Sequence, residues 1–596
     1  MFELFFMTLS FLGLVWACCR FLNMAPSHAP LFAISLVGIL LFFFALMGIL
    51  QTGTFVIAGF GGGFCFYFIV SMVKNYDKDI PFSVFSLKPA IIFGALVIIS
   101  FFITLKMQFT VVDDFVFWGI IGKYLVLFHQ LPQADTTIIA RHLTYTPGTS
   151  LIHYFFHALS NTYLPSKAYF AQSMILISAL FVVIQKQQME KSLIRLCLMV
   201  FLLTLFFGSV FIKLQVDYLL SAFFFAVLWI YYTEERVFLK LLTISAPIIF
   251  LFLIKQIGFV LGLLLLIIIF LDLVFYANVK KNQKIKTLGL VVLIAGFLLF
   301  LNRLWSWHCL EMGFTAFNND MTLDNIYTAL TIFSNEMVQK GFLIYLKGIS
   351  LGPADRFNLP YVFWYVLLFF LWVRMFKQMK PEESSRYSML VKILTISFLF
   401  YLVMIYFFQI IVFKVGAAYD HPVGLTRYLN ICFAPMMIFT LLISVGRLWW
   451  KGNIPLKTVY TGVMVVMLVL GISRAGKKQD KIDMEAEQLA RNIVMKTDRN
   501  RQNHIYVVPG IRSPFLGIKL LYHLLPDRVD HDLPLEMTQE QFKNKIGTYE
   551  YVLLHHPDNR VKELAGGLFT HGDFGFYRVA YHSPGLDESA ILKKIF

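Results

Sequence analysis

Residues 88–132 read KPAIIFGALVIISFFITLKMQFTVVDDFVFWGIIGKYLVLFHQLP, with two apolar runs side by side. The first, 88–105, comes close to the ~20 apolar residues a helix needs to cross a bilayer. The second, Phe115–Phe128, is too short for that and contains Lys123, so it is expected to lie along the membrane surface as an interfacial helix. Neither run alternates apolar with polar residues, which excludes the strands of an outer-membrane barrel. The helix remains, because it satisfies its own backbone groups where lipid cannot. Asp113 and Asp114 stand between the runs, just beyond the end of the spanning one.

The same pattern extends in both directions. The chain has 596 residues, 58% hydrophobic and 14% charged, with 64 phenylalanines and a mean hydropathy of +0.71; a soluble domain carries about a quarter charged residues. About fourteen runs read as spans, near 2–20, 31–50, 54–72, 88–105, 167–185, 192–212, 218–232, 241–254, 257–276, 287–302, 359–376, 389–412, 428–446 and 457–473. Residues 1–87 are expected to hold the first transmembrane helices. Residues 88–473 form the main bundle with long loops at 106–166 and 303–358, and 474–596 form a water-facing domain. The MFELFF start lacks the basic region of a cleaved signal peptide and reads as a retained span.

The net charge of +16 does not indicate nucleic-acid binding, because Lys and Arg sit in short connectors. Lys74, Lys78 and Lys88 form one group, followed by Lys186, Lys191 and Arg195, then Lys280, Lys281, Lys284 and Lys286. Arg374, Lys377, Lys380 and Arg386, and then Arg447, Lys451 and Lys457, continue the series. All fall on one face if the spans alternate, and that face is cytoplasmic by the positive-inside rule. Both long loops and the C-terminal domain then share the outer face. The absence of any Asn-x-Ser/Thr acceptor leans toward a bacterial plasma (inner) membrane. The six cysteines show no CxxC or Cys/His ligand spacing, so no zinc site or disulfide framework is indicated.

Asp113 and Asp114 have two readings. An aspartate before a helix is a good N-cap, and a second one complements the helix dipole; alternatively, one carboxylate is a general base at the membrane boundary. The segment ARHLTYTPGTSLIHYFFHALS, 140–160, follows. Its Tyr145, Pro147 and Gly148 open a short amphipathic helix over 149–159, with His153 and His157 at i, i+4. That spacing suits a metal, but no third ligand lies nearby, so polar tips are the plainer reading.

This combination resembles the GT-C glycosyltransferases: a carboxylate pair in the first large outer loop, a surface helix, then a Tyr-x-Pro-Gly turn into a second surface helix. The resemblance is clearest over 111–154 and extends by topology across 88–473. It implies a multi-span enzyme that moves a sugar from a polyprenyl-phosphate-linked donor to a glycan, lipid or protein acceptor, with Asp113 or Asp114 as base. The family's loop often has Asp-Glu or Glu-Asp, and here it is Asp-Asp. Three spans stand ahead of the one leading into the loop, which marks 1–87 as added. The residues indicate no definite cofactor, and a divalent cation is compatible with such a site.

An inverting displacement needs a base for the incoming hydroxyl and cations for the departing phosphate. Candidate cations lie at outer span ends. Lys255, in FLIKQIGF, separates two apolar runs, and a charge so placed tends to mark function. Arg303 starts the second long loop; Arg141 and His142 precede the turn that contains Tyr145. Arg427 and Tyr428 lie in DHPVGLTRYLN and resemble an Arg-Tyr pair near the donor site in several family members. Asp217 starts the seventh span as a further site acid or an interfacial cap. Snorkelling to lipid headgroups is the alternative for both Lys255 and Arg303, and it suits Arg303 better.

Loop 303–358 contains an amphipathic stretch, Leu323–Val338, that would cover a site or cap the bundle. The C-terminal domain alternates strands with helices and contains no phosphate loop, nucleophile elbow or metal motif. His555 and His556 end a strand in a site-like position. A flippase or transporter, and an O-antigen ligase or polymerase, are the competing readings. A transporter would show small loops and mid-membrane charge, whereas here the outer loops are large.

Overall fold

In the computed structural model, the described residues are 2–74, 87–134, 143–160, 162–185, 189–208, 213–275, 281–314, 322–378, 381–448, 481–497, 502–508, 516–531, 537–555, 559–564, 575–580 and 591–595. The chain divides into two compact units. One comprises Met1–Met107 with Thr144–Gly476, the other Gln108–Leu143 with Lys477–Phe596.

The first unit is helical: α1 Phe2–Phe21, α2 Ala29–Leu46, α3 Leu50–Lys74 and α4 Leu87–Thr104 precede the 108–143 segment. That segment, in the second unit, holds a π-helical turn, Asp114–Gly119, running into α5 Ile120–Phe128. The bundle resumes with α6 Gly148–His157, α7 Pro165–Leu180, α8 Met189–Phe207, α9 Asp217–Thr233, α10 Val237–Ile254, α11 Ile257–Phe275 and α12 Lys281–Glu311. After α13 Leu323–Leu330 and α14 Glu336–Leu351 come α15 Tyr361–Gln378, α16 Pro381–Phe407 and α17 Leu425–Leu448. Each of the first thirteen expected spans falls on one of these helices; the fourteenth, 457–473, lies outside the described residues.

Among the described residues, nine helices are long and apolar enough to cross a membrane, and Lys88–Thr104 and Asp217–Thr233 are shorter apolar ones. Phe66, Phe102, Leu293, Phe369 and Ile396 are each at least 66% exposed. Large apolar side chains turned outward on so many helices identify lipid as the solvent of this unit. Burial ranks the helices: 94% of the Pro165–Val183 window is inside the protein, against 28% of Leu50–Ser71 and of the α12 window. Helices α7, α10 and α17 are central, and α3 and α12 form the rim.

Three expectations change. The short helix after the Tyr-Thr-Pro-Gly turn is not a surface helix, because every residue of α6 is buried. Its apolar residues Leu151, Ile152, Tyr154, Phe155 and Phe156 cover all sides, so amphipathic contrast says little about exposure here. The amphipathic stretch Leu323–Val338 is two helices, because Asn335 Oδ1 accepts from the Met337 and Val338 N–H groups and starts α14 afresh. Finally, α12 continues to Glu311, so Arg303 lies within a helix and does not start a loop.

In the second unit, α18 Lys481–Lys496 precedes β1 His504–Val508, α19 Leu516–Leu524, β2 Arg528–His531, α20 Gln539–Gly547, β3 Tyr551–Leu554, α21 Asn559–Leu564, β4 Gly575–Ala580 and β5 Ile591–Lys594. The sheet order is β2-β1-β3-β4-β5; β1 is parallel to β2 and β3, and β4 is antiparallel to β3 and β5. Tyr506, Val508, Val552, Leu554 and Tyr577 turn one face onto Phe542, Ile546 and Val561. The sequence signals β1, β3 and β4 but not β2 or β5, since RVDH buries only Val529 and neither edge strand has an apolar run. His555 is buried and its Nε2 lies 2.8 Å from Glu485 Oε1, so it is not the exposed strand-end histidine that base rates favour. His556 lies outside the described residues.

Candidate functional site

The 144–148 turn locks onto the end of α10. A helix leaves its last carbonyls unsatisfied, and here a neighbouring segment takes one up: Thr146 Oγ1 donates to Phe252 O at 2.8 Å. In return, Thr144 O accepts from Gln256 Nε2 and Trp305 Nε1, both at 2.9 Å. Gly148 permits the approach, because a Cβ there would lie 2.5 Å from Leu253 O. α10 breaks at Lys255, whose backbone is extended (φ −165°, ψ 148°), and α11 restarts at Ile257. The break presents the Lys255 side chain at the end of α10.

Lys255 Nζ donates to Asp217 Oδ1 at 2.8 Å, and both side chains are buried. Arg427 grips the other oxygen, with Nε at 2.9 Å and Nη2 at 2.7 Å from Asp217 Oδ2. Lys255 Nζ also lies 5.2 Å from the Tyr428 ring centroid and 5.9 Å from that of Tyr145. The start of α9, the end of α10, the start of α17 and the turn before α6 thus meet in one cluster.

The helix ends explain part of this geometry. Asp217 is the first residue of α9 and Lys255 follows the last residue of α10, so each charge complements its helix dipole. Arg427, in the first turn of α17, opposes its own dipole. Two cations share one carboxylate, which leaves a net positive charge, and the Arg427 side chain is 45% exposed whereas Lys255 is enclosed. A cluster closed by Lys255, open at Arg427 and flanked by two phenol rings suits an anionic group such as a phosphate.

Other polar contacts hold α17 in register. Tyr401 Oη donates to Tyr428 O at 2.8 Å. Asn430 Nδ2 donates to Phe206 O and Ala354 O, and its Oδ1 accepts from Tyr361 Oη at 2.7 Å. The 352–360 turn is tied in turn by Asp355, which accepts from the Phe357 and Leu359 N–H groups and from Trp364 Nε1.

Of the residues singled out in the sequence, Asp217, Lys255, Arg427, Tyr428 and Tyr145 come together. Arg303 is exposed on α12, and Arg141 and His142 lie outside the described residues. Thr144, Thr146, Gln256 and Trp305 were missed; uncharged residues within apolar runs give no local signal of a long-range bond. His153 and His157 are both buried. His153 Nε2 bonds Gln172 Oε1 at 3.0 Å and His157 Nδ1 bonds His153 O at 2.7 Å, while His153 Nδ1 is buried without a hydrogen-bond partner among the described residues. Among the described residues, no group of three or more His, Cys, Asp or Glu is placed to hold a metal.

Asp113 and Asp114 belong to the second unit. Asp113 occupies the N-cap position of the π-helical turn without a side-chain capping hydrogen bond, and Asp114 is the first residue of the turn, where a carboxylate complements the helix dipole. Asp114 is buried. The segment docks on α19: Lys123 Nζ donates to Tyr522 O at 2.6 Å, and the Phe115 and Phe109 rings lie 5.3 and 5.5 Å from that of Tyr522. Burial lowers the Lys123 ammonium to about 8 and the His523 ring to about 4.

No known family model matches the chain, and no curated protein matches it. Among solved structures, the chain is similar to the crystal structure of ArnT from Cupriavidus metallidurans bound to undecaprenyl phosphate. Identity is 12% and the TM-score 0.49, over 84% of this chain and 97% of that one.

Proposed function

We propose that this protein is an integral membrane glycosyltransferase of the GT-C type that moves a sugar from a polyprenyl-phosphate-linked donor to a glycan, lipid or protein acceptor. The observation that carries the reading is the Asp217 carboxylate held between Lys255 and Arg427. Its excess positive charge suits the donor's phosphate, and Tyr145 and Tyr428 supply phenols beside it. As the bond to the anomeric carbon breaks, charge grows on the departing phosphate, and a preorganised cation is worth most at that moment. Asp217 orients both cations without itself touching the reacting atoms.

The base is assigned from the sequence resemblance to Asp113 or Asp114, which would take the acceptor hydroxyl's proton while the sugar inverts. The resemblance also supports the outer membrane face for the reaction, with the bundle in the plasma (inner) membrane. The test is to incubate purified protein in lipid with a panel of polyprenyl-phosphate sugars and measure released polyprenyl phosphate. Release with at least one donor, lost in Lys255→Met and in the double variant Asp113→Asn/Asp114→Asn, is the expected result. Folded protein that releases nothing from any donor overturns the reading.

A further inference from the structure

Helix α6 has a second end. At its start it meets α10 through Gly148 and Leu253 O. At its close, His157 Nε2 accepts from Leu164 N–H at 3.2 Å and fixes the return of the chain into α7. At ~1.5 Å per residue, a helix of 10 residues places that second end roughly 14 Å from the Lys255 cluster. There a cavity of about 520 Å³ opens between α1, α4 and the start of α7.

The lining has two characters. Glu3, Lys167, Ser160 and Thr162 supply the polar part of the lining; Phe101, Leu105, Leu159 and Leu164 supply an apolar part. Lys167 is buried at 7% side-chain exposure, and its Nζ lies 2.8 Å from Glu3 Oε2, whose side chain is 38% exposed. Ser160 Oγ donates to Thr162 O at 2.9 Å and lies 3.5 Å from Thr162 Oγ1. Leu105, Leu159 and Leu164 are exposed and continue the apolar outer surface of the bundle.

The Lys167 ammonium and the Glu3 carboxylate balance each other, unlike the two cations on one carboxylate in the Lys255 cluster. The pair offers donors and acceptors side by side, the complement of vicinal hydroxyls. The apolar part suits acyl chains. We infer that this cavity binds the uncharged, hydroxyl-bearing headgroup of a lipid, of the glycosyl-diacylglycerol class, with its chains over the leucines. As a docking place for the acceptor, this rests on the transferase reading; as a binding site, it does not.

The experiment is native mass spectrometry of the full chain in a polyoxyethylene detergent, titrated separately with glucosyl-diacylglycerol, diacylglycerol and phosphatidic acid. Glucosyl-diacylglycerol is expected to add one equivalent at least tenfold more tightly than the other two. Glu3→Gln, and Leu164→Trp filling the apolar part, should each weaken it at least tenfold, while Lys255→Met leaves it unchanged. Phosphatidic acid binding as tightly, or glucosyl-diacylglycerol binding unaltered in both variants, overturns the inference. Because binding is read without turnover, glycolipid bound as expected by a protein that releases no polyprenyl phosphate would count against the transferase reading alone.

Discussion

Asp217 holds two partners of different standing. Lys255 is enclosed with it, and removing the carboxylate leaves a buried ammonium uncompensated, a change that costs about 3–5 kcal/mol. Arg427 is half in solvent, and its loss of a partner adds little. Lys255→Met leaves Asp217 still paired with Arg427. Asp217→Ala should therefore lower the thermal midpoint more than Lys255→Met, although both abolish release of polyprenyl phosphate. Thermal unfolding and release measured on the same preparations check this, and the reverse order of midpoints contradicts the buried-pair account. Sequence pointed to these residues because a charge between apolar runs is rare and costly. It was silent on who pairs with whom, since Lys255 and Arg427 lie 38 and 210 residues from Asp217. Arg303 misled for the converse reason: the charge suggested the end of a span, but a helix rim exposed to solvent or headgroups accommodates an arginine without ending.

The join between the 144–148 turn and α10 is a backbone contact, so no side chain can give way to relieve it. Gly148→Ala would place its Cβ 2.5 Å from Leu253 O; the turn must shift and carry Tyr145 and the Lys255 break with it. Expected results are a loss of about 1–3 kcal/mol in stability and at least tenfold less release. Gly59→Ala is the control, since a Cβ at Gly59 meets nothing within 4 Å, and it should change neither. In the second unit, the α19 element makes the corresponding point about pH. The His523 ring lies near 4 through burial, below the ~6.5 of an unfolded chain. The unfolded state thus takes up a proton between about 6.5 and 4 that the folded state refuses, and stability falls as pH drops through that window. Lys123, Lys519 and Arg491 face the ring and oppose its charging, whereas Glu487 favours it. Hydrogen-exchange protection of α19 should decline across this window, and His523→Asn should flatten the decline; an unchanged slope would show that other groups control it. Elements with sustained apolar runs, such as β1, β3 and the long helices, were legible in the sequence. The edge strands β2 and β5 were not, because their pairing comes from neighbours and not from their own pattern.

Helix ends check the alternation of the bundle at the scale of the whole molecule. The Asp217–Lys255–Arg427 contacts bring the start of α9, the end of α10 and the start of α17 to one end. At the opposite ends of these helices, Tyr231 Oη donates to Asp272 Oδ2 at 2.6 Å and Lys240 Nζ to Tyr231 O at 3.4 Å, joining the end of α9, the start of α10 and the end of α11. Consecutive helices that meet at alternate ends are what an odd-even count of spans requires, and Glu3 with Lys167 extends the agreement to the starts of α1 and α7. Under the positive-inside expectation, the Lys255 end is proposed to face outward. The side taken by the C-terminal domain depends on one further crossing, the expected span 457–473, which lies outside the described residues. With that crossing, the domain shares the outer face; without it, the domain is cytoplasmic. In a background with the six native cysteines replaced, an impermeant maleimide applied to intact cells should label Ser334→Cys and Glu540→Cys but spare Glu235→Cys until the cells are opened. Labelling of position 540 only after opening would remove the fourteenth span and contradict an outer-face placement of the C-terminal domain.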